Sequence, residues 1–588
     1  MTLKAYLSEQ LITYLGNKRK LIDFIGDTID AVIESDPELS SKPAEEVSVF
    51  DIFSGSGVVS RAIKARGHLV LSNDYEKYSV PINKAFISYN KSELESVFTP
   101  VCAFLALDVG GDHPYDVVID YINDELISPL KEGNKYFSLY YAPQDTHNHN
   151  FDTERLFYTQ ENALKIDAIL EFLEFKFRTH EAAKDILLAS LLYCMTTNIN
   201  TSGTMKGFHN GWGGKNGDAL SRITDEIKLK PLPLIDGVKG IVFNGRAETV
   251  FKDNHLKQVD IIYADPPYNQ HQYSANYHML NTAVLNDRYP VGNIVKGTRA
   301  GIRKDHYKSE FCYKNRAYDA FVEFVGSVDC KYLVVSYSNE GILSTDEIIT
   351  ILSADLNNTI SIEKQSHTKY KGGKSTKTSN HVVEYLFIVK VGEKQSQQNL
   401  DALKREIELI TRETLVVGSF IDASKILNED FTKEGNTLLY KGALVAKVSK
   451  GLRVDSLVLS GLETEEDKLT VINALTGVVV TDKAEIVDLY LAYDLVDEAL
   501  KSLSNLNIKK HLYDLSTLSL GIADLCVDKN EAKLQDLLKI IVNRLPFSKV
   551  EGFEAQEFIN GLVMTEINGI KTLYKNEQDA LSALKGME

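Results

Sequence analysis

Short, unbroken apolar runs recur through the first two-thirds of the chain. They fall at 47–53 (VSVFDIF), 68–72 (HLVLS), 240–243 (GIVF), 259–264 (VDIIYA), 332–337 (YLVVSY) and 384–390 (EYLFIVK). Each is strand length, and most lack the alternation of a strand with one wet face, so they suit strands covered on both faces. Helical patterns lie between them, at 57–66, 161–175 and 317–326. Strands alternating with helices predict an α/β domain with a mostly parallel sheet. Residues 91–235 carry few strand signals and several helical ones. They read as a mainly helical insertion, with the sheet domain assembled from 1–90 and 236–395. After the polar stretch Ser396 to Asn399 the texture changes. Amphipathic patterns at 401–411, 484–506, 530–544 and 577–586, with one possible strand pair near 437–448, predict a separate, mostly α-helical C-terminal domain over 396–588.

Cysteine usage and charge narrow the setting. Cys102, Cys194, Cys312, Cys330 and Cys526 are scattered, without a Cys-x-x-Cys pair. That excludes a disulfide framework and a cysteine-rich zinc module, and fits a reducing cytoplasm. The longest uncharged run, Ile186 to Met205, is apolar only in its first half, so it reads as a buried helix and no membrane partner is expected. Net charge is -17, and acidic residues outnumber basic ones on both sides of residue 395. Any nucleic-acid surface must therefore be local. Two patches qualify. Lys296, Arg299, Arg303, Lys304, Lys308, Lys314 and Arg316 are interleaved with Tyr307, Phe311 and Tyr313. Lys364, Lys369, Lys371, Lys374 and Lys377 surround Gly372-Gly373. Either patch could equally be a solvated loop.

Three motifs carry chemistry. Phe53-Ser54-Gly55-Ser56-Gly57 follows a strand and opens a helix, where glycines allow a tight turn and close approach to a ligand. Many such turns serve packing alone. The next strand, however, ends in Asn73-Asp74, 17 residues past Gly57, where a carboxylate can accept both hydroxyls of a ribose. The pair points to a cofactor containing adenosine. Ser60 stands where a dinucleotide fingerprint has its third glycine, which counts against NAD and FAD. Asp265-Pro266-Pro267-Tyr268 ends the strand at 259–264. Its prolines hold a rigid, extended loop. Asp265 and the Pro266 carbonyl are acceptors beside the flat Tyr268 ring, an arrangement suited to a planar amine. Tyr14-Leu15-Gly16-Asn17-Lys18-Arg19-Lys20 is a glycine turn with a basic tail ahead of the first strand.

In this order the three motifs resemble those of the alpha group of DNA adenine-N6 methyltransferases, the group of the Dam-type enzymes. Further strings resemble a subgroup close to the FokI-type modification methylases: Arg155 to Ala163, Asn200 to Thr204, Asn269 to His278 and Ser336 to Gly341. The likeness covers roughly residues 10–392. It implies a Rossmann-like methyltransferase sheet, S-adenosylmethionine as cofactor and a target-recognition role for the insertion. Carried over by residue, Tyr14 and Lys18 would contact the cofactor. Phe53, Gly55 and Gly57 would line its loop, with Asp51 near its amino group and Asp74 at its ribose. Asp265, Pro266, Pro267 and Tyr268 would hold the target base, with Asp265 also near the cofactor. Asn244-Gly245-Arg246-Ala247 departs from the acidic ending usual before the fourth strand, so the contact to the cofactor adenine is not assigned.

The resemblance implies site-specific methylation of double-stranded DNA in a restriction-modification or related defence setting, with a cognate restriction or defence subunit as a possible partner. Lys304, Lys308, Lys369, Lys371, Lys374 and Lys377 would then meet phosphates. Cytosine-N4 transfer is disfavoured because such enzymes usually resemble Ser-Pro-Pro-Tyr. A DNA-binding or assembly protein with vestigial motifs is disfavoured by intact Gly55, Asp265 and Tyr268. Glu531-Ala532-Lys533 is an isolated nuclease-like string and reads as a solvated helix face. Asp145, His147, His149 and His278 are not expected to bind metal, and Trp212 is either a DNA contact or a packing anchor.

Overall fold

A computed structural model describes residues 2–126, 135–150, 152–214, 217, 219–292, 299–354, 358–368, 381–449, 453–480, 563–567 and 570–574. They divide into two compact units, one of residues 1–366 and 383–404, the other of 367–382 and 405–588.

The first unit is built on a seven-stranded sheet. Its strands are β1 (Ser48–Asp51), β2 (Leu69–Asp74), β3 (Ile241–Asn244), β4 (Val259–Ala264), β5 (Cys330–Ser338), β6 (Asn358–Thr368) and β7 (His381–Val391). Their order is β3-β2-β1-β4-β5-β7-β6. The first five run parallel, and β7 runs antiparallel to β5. The six apolar runs coincide with β1 to β5 and β7. β6, polar apart from Ile360 and Ile362, has no such run and was not expected. Val49, Phe50, Ile261, Ile262, Val334 and Val335 are fully buried. Each such side chain stabilises the sheet by roughly 1.5–3 kcal/mol through removal of apolar surface from water.

The stretch 91–235 is mainly helical, centred on the helices Gln160–Lys176 and Glu181–Thr197. Its core does not stop at the ends of that stretch. One cluster joins Ile166, Leu173, Leu187 and Leu191 to Tyr78, Ile82 and Phe86 after β2 and to Tyr277, Met279 and Leu280 after β4. Arg155, from the string ahead of this helical pair, fastens a second connection. Its guanidinium donates to the carbonyls of Tyr140, Gly292 and Arg299. Arg299 belongs to the first of the basic stretches, and Gly292 lies just ahead of it.

The second unit corrects the helical expectation. Its described residues hold a six-stranded antiparallel sheet, β8 (Phe420–Ile421), β9 (Phe431–Glu434), β10 (Thr437–Tyr440), β11 (Ala443–Ser449), β12 (Arg453–Leu457) and β13 (Val479–Val480), in the order β13-β8-β12-β11-β10-β9. The expected pair near 437–448 is β10 and β11. The rest was hidden in turn chemistry. Gly435, Lys441 and Gly442 take positive φ, the geometry of tight hairpin turns. Leu438, Tyr440, Ala446, Val448 and Val454 alternate inward between those turns. The helical pattern at 401–411 lies in the helix Gln397–Val416. The patterns at 484–506, 530–544 and 577–586, with Cys526 and Glu531 to Lys533, lie outside the described residues. Among the described residues no helix is long and apolar enough to cross a membrane.

Replacing Arg155 with Met keeps the aliphatic stem but removes the charged donor shared by three carbonyls. The expected cost is about 1.5–3 kcal/mol, the scale of hydrogen bonds to a charged group. Urea unfolding of the variant measures it. An unchanged midpoint would show that other donors serve these carbonyls.

Candidate functional site

Reversal of strand order at β1 opens a crevice beyond the carboxyl ends of β1 and β4, where open α/β sheets take their ligands. It encloses about 780 Å3, mouth included. Its walls come from the turns after four parallel strands: Ile52 and Phe53 after β1, Asp74 to Glu76 at β2, Gly245 to Glu248 after β3, and Asp265 to Tyr268 after β4. Tyr14 to Gly16, Gln272 to Ser274, and Tyr307, Ser309 and Phe311 complete them.

Of the residues expected at the site, Tyr14, Phe53, Asp74, Asp265, Pro266, Pro267 and Tyr268 lie on these walls. Lys18, Asp51, Gly55 and Gly57 do not, and stand just behind them. Gly55 and Gly57 have φ of 48° and 76°, values that L side chains rarely adopt. A Cβ on Gly55 would also sit 3.0 Å from the Tyr14 ring. The Gly55 N–H donates to Asp74 at 2.7 Å, and the Glu76 N–H to its other oxygen at 2.8 Å. Each oxygen keeps a lone pair for a diol. Asp51 faces inward and accepts from the N–H and hydroxyl of Ser60. Burial pushes its carboxyl up to about 7, Asp74 up to about 6 and Glu76 up to about 7. Ionised, three carboxylates give the crevice a negative field suited to a cationic ligand.

Tyr14 is held by aromatic packing. Its ring stacks on Tyr277 at 4.9 Å and Tyr273 at 5.2 Å, and the Leu15 N–H donates to the Tyr277 hydroxyl. Phe53 meets Phe311 and Phe324 edge-on. At the mouth, Tyr75 and Tyr307 stack with centroids 3.7 Å apart. Lys18 is buried, with its ammonium 2.5 Å from Glu384, 3.2 Å from Asp265 and 5.2 Å from the centre of the Tyr268 ring. Burial raises the Asp265 carboxyl, Lys18 pulls it back down, and Glu384 pushes it up further. Glu384, Glu76, Tyr273 and Tyr277 were not singled out from the sequence. The signal for Glu384 was a lone carboxylate opening an otherwise apolar run. The two tyrosines lay inside the NQHQYSANYH string without a role.

The basic patches fare differently. Arg303 is consumed by Asp287 and Asp305, and Arg316 by Glu310. Lys304, Lys308 and Lys314 are exposed, and Lys304 and Lys308 flank Tyr307 on the crevice wall. Lys296, Lys369, Lys371, Lys374 and Lys377 lie outside the described residues. Trp212 is a packing anchor: its indole N–H donates to the Thr146 carbonyl and its ring lies against His149 and the helical core. His278 is buried with its Nε2 3.0 Å from the Met205 carbonyl, and burial pushes its pKa down to about 3. Among the described residues no cluster of three His, Cys, Asp or Glu could hold a metal ion.

The chain is similar in sequence to known proteins. The chain is 28% identical over 388 residues to the Type II methyltransferase M.FokI of Planomicrobium okeanokoites, covering 64% of this chain and 52% of that protein. It is 28% identical over 396 residues to the Type II methyltransferase M.NlaIII of Neisseria lactamica, covering 64% and 99%. Against the Type II methyltransferase M.CviAII of Paramecium bursaria Chlorella virus 1 it is 27% identical over 391 residues, covering 64% and 98%. The chain thus spans about half the length of M.FokI and nearly all of the other two. No solved structure matches it. The sequence model of the D12 class N6 adenine-specific DNA methyltransferases matches residues 14–351, which hold all three motifs and most of the crevice walls, and the chain belongs to that family.

Proposed function

We propose that this chain is a site-specific DNA methyltransferase that moves a methyl group from S-adenosylmethionine to N6 of an adenine turned out of the duplex. The observation that carries the reading is Asp265-Pro266-Pro267-Tyr268 on the wall of a crevice whose opposite side is Tyr14, Phe53 and Asp74. The residues fit the cofactor. Asp74 is placed for a ribose, Tyr14 and Phe53 offer aromatic walls, and the carboxylates of Asp74 and Glu76 suit a ligand with a sulfonium and an ammonium. When bound, S-adenosylmethionine supplies a methyl group already activated by that sulfonium.

The remaining difficulty belongs to the acceptor, because the adenine amine's lone pair is delocalised into the ring. Asp265 and the Pro266 carbonyl accept its two N–H groups and favour a pyramidal nitrogen with a directed lone pair. Pro266 and Pro267 fix those acceptors before the base arrives, so catalysis is positioning plus electrostatic stabilisation of developing positive charge. Asp265 need not be a strong base, since the amine sheds its proton after alkylation. Turning the base out costs about a few kcal/mol. Stacking on Tyr268 returns roughly 1–3 kcal/mol. Exposed Lys304 and Lys308 beside the crevice suit phosphates of the flanking duplex. Relatives named as Type II methyltransferases and modification methylases support a restriction-modification setting.

Asp265→Ala is expected to abolish transfer to DNA while retaining measurable cofactor binding. Labelled-methyl assays and calorimetry check both, and wild-type turnover in the variant would remove Asp265 from the target site. Asp74→Ala is expected to weaken cofactor binding by about 1–3 kcal/mol, the scale of a hydrogen bond to a charged group. Unchanged affinity would take Asp74 off the ribose.

Changing Lys304 and Lys308 together to Gln is expected to weaken binding to all duplex sequences. The log-log salt slope should shallow by about 0.9 for each phosphate no longer neutralised. A slope equal to that of the wild type would make both lysines bystanders.

A further inference from the structure

Lys18 was expected at the cofactor, yet its ammonium is not on the crevice wall. It is 3% exposed and lies between two carboxylates, Asp265 at 3.2 Å and Glu384 at 2.5 Å. The shorter approach, a hydrogen bond, goes to the carboxylate remote from the crevice. Glu384 is 2% exposed and also accepts from the Ser336 hydroxyl on β5. Asp265 Oδ1, by contrast, is buried with the Lys18 ammonium farther away, at 3.2 Å. This trio holds two formal negative charges and one positive charge.

A buried charge is costly unless it is paired, and a third buried charge adds to that cost. Lys18 and Asp265 alone would be neutral. In such a pair the ammonium would cancel the charge that Asp265 offers to the target amine. Glu384 draws the ammonium away and returns a net negative charge to the trio. We propose that Glu384 is a positioning residue for methyl transfer: it draws the Lys18 ammonium toward itself, at 2.5 Å against 3.2 Å to Asp265, and leaves one unbalanced negative charge behind the Asp265 carboxylate, facing the amine as it becomes positive. The inference rests on the adenine-N6 reading above.

The groups facing Asp265 are few and each has a sign. Lys18 lowers its pKa and Glu384 raises it. Asp51 on β1, Tyr263 on β4, and Tyr268 and Tyr273 beyond it complete the surroundings. Transfer requires Asp265 ionised, so the acid limb of the rate profile follows its titration. Removing the negative charge of Glu384 makes Asp265 easier to ionise, and the limb moves to lower pH. Removing the positive charge of Lys18 does the reverse.

The test measures kcat against pH for the full chain and for Glu384→Gln, Glu384→Asp and Lys18→Met, with S-adenosylmethionine affinity by calorimetry. In Glu384→Gln we expect kcat to fall by about 10²-fold, the scale for removing one electrostatic contributor to a transition state. The acid limb should move down and cofactor affinity should stay within about twofold of wild type, because Glu384 lies off the crevice. Glu384→Asp should keep the limb at its wild-type position, and Lys18→Met should move it up. A carboxyl-carbon NMR titration of the cofactor-free protein, with Asp265 assigned from Asp265→Asn, should show the same two directions without turnover. Wild-type protein that puts no methyl on DNA adenine would overturn the function itself. Active wild type with an unchanged kcat and limb in Glu384→Gln would overturn only the role of Glu384. A purely structural role would lower activity and cofactor binding together without moving the limb, which also overturns it. Should Glu384→Gln fail to fold, the limb positions of Glu384→Asp and Lys18→Met and the titration decide: no upward movement in Lys18→Met ends the proposal.

Discussion

An ammonium removed from water must be surrounded by its counter-charges, and Lys18 finds them on two strands distant in sequence. Asp265 follows β4, and Glu384 lies near the start of β7, 366 residues beyond Lys18. The segment ahead of β1 is thereby drawn across the carboxyl edge of the sheet. Leu15 and Gly16 come with it, and Tyr14 is carried onto the glycine loop, where its ring would meet a Cβ on Gly55. The buried pairing and the stacking of Tyr14 on Tyr273 and Tyr277 together bring the first motif to the other two.

Sheet order then divides the work. Turns after β1, β2 and β3 form the acidic side of the crevice, and the turn after β4 forms the side with Asp265 and Tyr268. The helical stretch packs against both sides through one core, reaching Tyr78 and Phe86 on the first and Tyr277 and Leu280 on the second. Arg155 extends that union to the carbonyls of Gly292 and Arg299. The segment carrying Lys304, Tyr307 and Lys308 to the crevice follows directly. Rigidity in the helices is therefore rigidity in the crevice wall, which positional catalysis requires.

The sheet was legible because its strands are covered on both faces and so appear as plain apolar runs. β6 was not, since its polar sequence has no such run. The antiparallel unit was misread where the signal was turn chemistry: Gly435-Asn436 between Glu434 and Thr437 marks a two-residue hairpin that the sequence reading passed over. Motif residues were found wherever local spacing encodes a role, as in Asp74 and Asp265. Pairings were not. Nothing near Lys18 in sequence names Glu384, and nothing near Arg303 names Asp287 as the partner of its charge.

β7 runs against β5, with Ser338 opposite Glu384 and the Asn339 N–H donating to the Val383 carbonyl. Parallel strands deliver their last residues to the crevice edge, whereas this one delivers its first. A strand's beginning is free of the turn geometry that binds cofactor or base. It is thus a dial for the site's charge, turned by substituting residues that touch neither ligand. Substitutions in β7 could in this way adjust the pH at which the Asp265 carboxylate ionises while leaving the crevice walls as they are.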